Sequence, residues 1–436
     1  MDFATASEYL LSLGNEVSAM KLGLENIRTL LTAFGNPQNK YLKVQVAGTN
    51  GKGSVCAFLD SICVHAGIKT GLYTSPHLMS ITERIKIDGK DISDADFAKH
   101  ATHVRETVEN LLAKDELAYR PTFFEQVTAI ALVAFAEAKV ELSILETGLG
   151  GRLDATTAAN AEIVAITRID LDHQEYLGET IEEIAAEKAA IIREGSKVVI
   201  AEQKEEARRV IRGRCFELGV EPNIATTDVV TKKYDDEPTY PIRSTTFKTA
   251  KSNYPRVVLG LLGKHQEENA AAAIAVAEEL RAFGFEISDD EICMGLETAR
   301  HRGRLEFDDG FLFDGAHNAA GAKALRYYLD EFVRQPITMI FGSMKGKDIA
   351  EIGNLLFPKA ETLILTIPNN SRAMTATELT GSIPIEFNRD RLILTDSVEE
   401  ALTRAEKVSN HSLILITGSL YLVGEAQKIL KTRSQI

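Results

Sequence analysis

Cysteine is sparse: four residues in 436, at positions 56, 63, 215 and 293, none in a metal-type spacing. That excludes a disulfide scaffold and a zinc module, and it predicts a reduced, cytoplasmic protein. Long apolar runs are missing too. No stretch is long enough to span a bilayer, and the N-terminus lacks the basic, apolar, small-residue pattern of a secretion signal. Basic charge is in deficit, with 49 Lys and Arg against 63 Asp and Glu, a net −14. A nucleic acid or an anionic membrane is therefore not the expected partner. Internal repeats and low-complexity tracts are absent. What remains is an ordinary globular composition, 44% hydrophobic and 26% charged, on a chain long enough for two or three domains.

The stretch around which the chain is organised is Val44-Gln45-Val46-Ala47-Gly48-Thr49-Asn50-Gly51-Lys52-Gly53-Ser54. Leu42 to Ala47 reads as a buried strand, and Val55 to His65 as a helix. Strand, glycine-rich turn and helix form a phosphate cradle, because backbone N–H groups can close round an anion at a helix N-terminus. Lys52 can reach outer phosphates, and Ser54 can offer a hydroxyl to Mg²⁺. The match to the usual pattern is imperfect: Val46 replaces the first glycine, and Gly53 separates Lys52 from the hydroxyl residue.

Residues 4–34 read as helical with a break near Gly14. A second strand, Thr70 to Tyr73, ends in Thr74-Ser75-Pro76. Ligands of an open parallel sheet sit at such a carboxyl end, so Ser75 is a candidate Mg²⁺ or phosphate contact. Ile85 to Lys90 reads as a hairpin with an Asp-Gly turn, and 94–113 as a helix. Thr122 and Glu125 form a capping box. Phe123 and Phe124 between them are either core aromatics or a wall for a flat heterocycle, and residue chemistry leaves both open.

A third strand, Leu142 to Leu145, runs into Glu146 and a glycine-rich loop, which suits a metal-bound carboxylate. His173 lies beyond the strand Ile163 to Thr167, on the same edge as Ser75 and Glu146, where a ligand role outweighs a plain surface histidine. On the next helix Lys188 falls within an apolar stripe of Ile181, Ile184, Ala185, Ile191 and Ile192. A buried ammonium is costly unless paired or modified; a snorkelling lysine is the plainer reading.

Residues 223–258 read as a small antiparallel insert, followed by a helix from Gly263 to about Phe283 and another over 289–298. Strands near 311–314, 337–342, 362–366, 391–394 and 412–416 then alternate with helices. The expected fold is α/β in two domains. A P-loop ATPase-like doubly wound sheet with the insert would occupy 1–298. A linker would cover 299–304, and a Rossmann-like domain 305–436.

Taken together, the motifs resemble the folylpolyglutamate synthase/dihydrofolate synthase family of the muramyl-ligase superfamily. The resemblance rests on Gly48 to Ser54, Tyr73 to Leu78, Glu146 to Ala155, Leu171-Asp172-His173, Glu187-Lys188-Ala189 and His265-Gln266 with Asn269. It continues through Gly303-Arg304-Leu305-Glu306, Asp314 to Asn318 and Thr417 to Glu425. It implies an ATP- and Mg²⁺-dependent ligase of folate biosynthesis. Such an enzyme adds L-glutamate to dihydropteroate and/or (tetrahydro)folate polyglutamates through an acyl phosphate, giving ADP and phosphate.

By resemblance Thr49, Asn50, Gly51, Lys52, Gly53 and Ser54 would hold the phosphates. Asn269, Arg304 and Asp314 would complete the nucleotide site. Ser75, Glu146 and His173 would be the metal ligands. Lys188, carbamylated, would be catalytic, and His317 and Ser419 are weaker candidates for the glutamate or acyl-phosphate end. Leu22, Gly23, Leu24, Glu25, Thr122, Phe123, Phe124, Glu125, Leu153, Asp154 and Ala155 would line the pterin site. The partners would be small molecules only, and the chain a monomer. Where the family usually has Pro, Asn, Pro and Asp, this chain has Arg302, Thr157, Ala319 and Gly346. The alternatives are a muramyl-type ligase for another carboxylate and a nucleotide-binding module without catalysis.

Overall fold

The structure is a computed structural model that describes residues 1–14, 23–225, 230–234, 242–409 and 411–434. Leu22, one of the expected substrate-site residues, lies outside the described residues. In the first half the strands are β1 (Leu42–Ala47), β2 (Thr70–Tyr73), β3 (Ile85–Ile87), β4 (Lys90–Asp91), β5 (Leu142–Glu146), β6 (Ile163–Ile166), β7 (Lys197–Ile200) and β8 (Pro222–Ile224). They form one sheet in the order β4-β3-β2-β5-β1-β6-β7-β8. From β2 to β8 every pairing is parallel, with Val46 of β1 opposite Glu146 of β5 and Ala165 of β6. The carboxyl ends of β1, β2, β5 and β6 therefore share one edge. β3 and β4 form the antiparallel hairpin, with left-handed Asp88 and Gly89 at its turn.

Both faces of this sheet are covered, as its continuous apolar strands require. Helices Lys52–His65, His265–Arg281 and Asp289–Thr298 pack on Val44, Val46 and Ile144. Helices Phe3–Ser12, Glu25–Ala33, Asp94–Ala113 and Phe123–Ala138 cover the other side, against Tyr73 and Leu145. The helix expected from Val55 starts three residues earlier, at Lys52. The insert is an antiparallel sheet of β9 (Val230–Tyr234), β10 (Ile242–Lys248) and β11 (Asn253–Val257).

After the helix Asp289–Thr298 the chain runs without regular structure to a second large sheet. Its strands are β12 (Glu306–Asp308), β13 (Phe311–Asp314), β14 (Ile337–Phe341), β15 (Thr362–Leu365), β16 (Leu392–Leu394) and β17 (Leu413–Thr417). They lie in the order β12-β13-β17-β14-β15-β16, parallel except for β12. Helices Ala319–Phe332 and Ile349–Leu356 cover one face, and Val398–Val408 and Leu420–Arg433 the other. The architecture is α/β with two sheet-based bodies. No helix among the described residues is long and apolar enough to cross a membrane.

Candidate nucleotide and metal site

The loop after β1 turns where only glycine fits. Gly48 has φ +153°, and a Cβ there would lie 1.8 Å from Thr167 Oγ1; Gly51 has φ +89°, and its Cβ would lie 2.2 Å from Asn269 Oδ1. Thr49 and Asn50 are held from below, their N–H groups donating to Arg168 O at 3.0 and 3.2 Å. Gly51 caps the helix that begins at Lys52, so first-turn N–H groups face outward without intrahelical acceptors. Lys52 Nζ curls over the loop, donating to Gly48 O at 3.0 Å and Thr49 O at 3.2 Å. Asn269 is buried and oriented by Gln266, to whose Oε1 its Nδ2 donates at 2.8 Å.

Lys188 reaches the same loop from behind. It sits one residue from the end of the helix Ile181–Ala189, is 4% exposed, and donates from Nζ to Gly48 O at 2.8 Å. Burial presses its ammonium down to about 7, and nearby Lys52 adds to the fall. The snorkelling alternative fails because the amine is enclosed. Ile191 and Ile192 of the expected stripe are fully buried but lie beyond the helix.

Glu146, the last residue of β5, is buried, and its Oε2 accepts the Ser75 N–H at 3.0 Å. Burial pushes its carboxyl up, opposed first by Lys52. The Ser75–Pro76 peptide is cis. His173 lies in the loop beyond β6 with φ +50°; burial holds its imidazole at about 4, against the pull of Asp172. Glu146 and His173 both feel the Lys52 charge. No cluster of three His, Cys, Asp or Glu side chains suited to a metal occurs among the described residues.

The glycine-rich loop after Glu146 is built around Asp154. Its Oδ2 accepts from Gly148 N at 2.8 Å and Leu149 N at 2.9 Å, and its Oδ1 from Thr156 N at 3.0 Å and from the Thr156 hydroxyl. This carboxylate organises the loop from within. Gln45 Nε2 donates to Thr156 Oγ1 at 2.9 Å and Thr157 Oγ1 at 2.8 Å, so Thr157, where the family usually has Asn, is engaged from β1. The loop rests on the Lys188 helix, with Arg152 N donating to Glu187 O at 2.9 Å. Thr122 and Glu125 form the expected capping box. Phe123 is buried, whereas Phe124 is half-buried and lies against Gly148, where a Cβ would come within 2.6 Å of its ring. Phe123 is thus a core aromatic, while Phe124 packs on the core's edge with part of its ring accessible. Glu25 starts its helix, with Leu24 buried as its N-cap and Gly23 before it at φ +145°. Leu153 is half-buried on the loop and Ala155 is buried beneath it.

From the second body, Asp314 ends β13 and accepts from Leu305 N and Ala316 N, both at 3.0 Å. Burial pushes its carboxyl up, and Arg304 is the main opposing charge. His317 Nδ1 pairs with Gly315 O at 2.8 Å, and burial holds that imidazole at about 4. Ser419 caps the helix Leu420–Arg433 through Tyr421 N, at 3.1 Å.

Several side chains at this site were given no role in the sequence reading. Asp172 joins both bodies, accepting from Lys347 Nζ at 2.7 Å and Asn318 Nδ2 at 3.3 Å. Asn318 also donates to Asn50 Oδ1 at 3.1 Å. His301 lies over Gly53, whose Cβ would be 2.7 Å from its Nε2. Buried Arg84 donates from Nε to His77 Nδ1 at 2.8 Å and covers the Phe123 ring at 5.1 Å. Their signal was present for Asp172, beside His173, and for Lys347, beside Gly346; nothing in periodicity marks Arg84 or His301.

A glycine-rich loop crowned by a lysine, on a doubly wound body facing a second α/β body, is the layout of a two-domain nucleotide-binding enzyme, and the family matches make its class that of the Mur-type ligases. Residues 46–277 match the model of the Mur ligase middle domain, and residues 306–430 that of the dihydrofolate synthetase C-terminal domain. The chain is 35% identical to the dihydrofolate synthase/folylpolyglutamate synthase of Bacillus subtilis, covering 94% of this chain and 96% of the relative. It is 32% identical to the folylpolyglutamate synthase of Lacticaseibacillus casei, covering 93% of each. Among solved structures, Mycobacterium tuberculosis folylpolyglutamate synthase complexed with ADP aligns with TM-score 0.89 at 28% identity, over 98% of both chains. E. coli FolC in complex with DHPP and ADP aligns with TM-score 0.86 at 28% identity, over 100% of this chain and 99% of that one. The chain belongs to the dihydrofolate synthase/folylpolyglutamate synthase family.

Proposed function

We propose that the protein ligates L-glutamate to the carboxylate of dihydropteroate and/or a (tetrahydro)folate polyglutamate, converting ATP to ADP and phosphate. The observation that carries this reading is the similarity of nearly the whole chain to enzymes of that name, with the phosphate loop intact.

A carboxylate is a poor acceptor for an amine because attack would expel oxide. Transfer of the γ-phosphoryl group to the carboxylate gives an acyl phosphate, the glutamate amine attacks its carbonyl carbon, and phosphate leaves with the C–O bond electrons. Lys52 and the first-turn N–H groups stabilise charge on the transferring group. Asn269 lies against Gly51, and with it Arg304 of the linker and Asp314 of the second body would complete the nucleotide site. Phe124 and the Asp154-built loop offer a flat wall and a rigid floor to a pterin. Closure of the two bodies excludes water from the acyl phosphate.

The donors fit Mg²⁺. Glu146 commits Oε2 to the Ser75 N–H, and its Oε1 faces the Gly53 side, 3.4 Å from where a Cβ of that glycine would lie. One carboxylate, the Ser75 hydroxyl and neutral His173 would hold the ion beside phosphate oxygens and waters. When bound, the ion supplies positive charge to the phosphoryl oxygens. Lys188, enclosed with its amine pressed towards neutrality, is suited to carbamylation, which turns a costly buried cation into an anion.

The test is ADP release from ATP with glutamate, in the presence and absence of dihydropteroate or tetrahydrofolate. ADP formed only when glutamate and one pterin are both present supports the reading. No dependence on either pterin overturns it.

A further inference from the structure

Asp172 is placed where the two bodies meet. It belongs to the loop after β6, and its side chain is 11% exposed. Oδ1 accepts Lys347 Nζ at 2.7 Å and the His173 N–H at 3.0 Å; Oδ2 lies 3.3 Å from Asn318 Nδ2. Lys347 and Asn318 both belong to the second body. Lys347 is 17% exposed and follows Gly346, where the chain turns through φ +83°. Asn318 caps the helix Ala319–Phe332 through Gly321 N at 2.8 Å, which fixes its amide. That amide also donates to Asn50 Oδ1, so the phosphate loop and Asp172 share one donor from across the seam. Elsewhere along the seam Leu78 of the first body packs on the second body's core, and a Cβ on Gly424 would lie 2.1 Å from Leu78 O.

We infer that Asp172 and Lys347 are the two halves of a latch that holds the second body closed over the phosphate loop, with Asn318 tying the latch to Asn50. The ion pair is shielded at 2.7 Å, and a shielded charge stripped of its partner is strongly unfavourable. Intermediate separations are therefore poor, and the pair favours either full contact or full hydration. Asn50 gives the phosphate loop a direct hold on the same amide, which couples what the loop binds to closure. Asp172 and Lys347 act here as positioning residues. The latch needs the ligase reading only for what closure is for.

The test uses the full chain and small-angle scattering with a non-hydrolysable ATP analogue, with circular dichroism confirming the fold. Asp172→Lys and Lys347→Asp each increase the radius of gyration and lower kcat/KM about thirtyfold or more. The double exchange, which restores an opposite-charge pair in reversed order, returns the radius to the wild-type value. Singles that scatter like wild type, or a double as expanded as the singles, overturn the latch. Should Asp172→Lys not fold, Lys347→Met and Asp172→Asn replace the reversals, and their radii decide: expansion in both, no greater when combined, supports the latch. Activity lost in Lys347→Met with unchanged scattering assigns that lysine to substrate instead and overturns it. The scattering readout is independent of which substrate is ligated.

Discussion

Lys188 and Lys52 donate to one and the same acceptor, the carbonyl of Gly48, at 2.8 and 3.0 Å. One lysine comes from the loop itself and the other from a helix some 136 residues further along the chain, 188 − 52. Burial drives the Lys188 amine towards neutrality, and the Lys52 ammonium on the same carbonyl adds to the fall.

A first prediction follows for Lys188. Carbamylation joins CO₂ to the neutral amine nitrogen with loss of one proton. At fixed bicarbonate, turnover therefore climbs as pH rises through about 7. Lys188→Ala loses activity about a hundredfold or more yet keeps nucleotide affinity, and a small carboxylic acid restores part of the loss. An unmodified Lys188 in the mass spectrum of active, bicarbonate-equilibrated enzyme counts against this.

The same residue shapes stability against pH. Unfolding returns the amine to its ordinary 10.5, so the unfolded chain takes up this proton first as pH falls. Stability is lost between 10.5 and about 7 and falls no further from this group below that. Thermal melts of Lys188→Met show a flatter profile across this window; identical slopes for the two proteins contradict the assignment.

Glu146→Gln separates function from folding. Burial already disfavours the charged carboxyl, so the neutral amide leaves the melting temperature unchanged or raised. Turnover falls about a hundredfold or more if, as proposed, this carboxylate holds Mg²⁺ beside the phosphates. A marked fall in melting temperature would show that the charge is structural.

Gly51→Ala places a Cβ 2.2 Å from Asn269 Oδ1 at a left-handed φ. The expected loss in ATP affinity, read by calorimetry, is about tenfold or more, with a destabilisation of about 1 kcal/mol. Asp154→Ala acts elsewhere. Removing the acceptor of Gly148 N, Leu149 N and Thr156 N destabilises the fold by about 2–4 kcal/mol and raises the pterin KM more than that for ATP.

Local chemistry made much of this legible in sequence. The Thr122–Glu125 capping box and the Asp88-Gly89 hairpin are decided within a few residues and form as expected, and the turn at Gly48 forms too but gives way to its helix already at Lys52. Lys188 betrayed its burial by standing in an apolar stripe, although the helix stops at Ala189 and the two isoleucines after it are buried by the turn that follows. The sequence reading omitted β7 and the helix Glu205–Glu217 and gave Asn223 and Ile224 to the antiparallel insert, whereas they belong to β8, which pairs with β7 in the first sheet; the helix is so rich in Glu and Arg that its thin apolar stripe of Ala207, Ile211 and Cys215 gave little signal. Asp172 with Lys347, and Asn50 with Asn318, are pairs 175 and 268 residues apart, which no periodicity can join. Two of the family departures acquire physical sense. Gly346 takes a left-handed φ that suits glycine better than Asp, and Ala319 is the first residue of a helix, where Pro is also at home.

The most direct test of the ligase mechanism follows oxygen. A pterin substrate carrying isotopically heavy oxygen in its carboxylate is turned over with ATP and glutamate, and the released phosphate is analysed by mass. Passage through an acyl phosphate predicts one heavy oxygen in each phosphate, with ADP as the nucleotide product. Phosphate free of the label, or AMP in place of ADP, would contradict it.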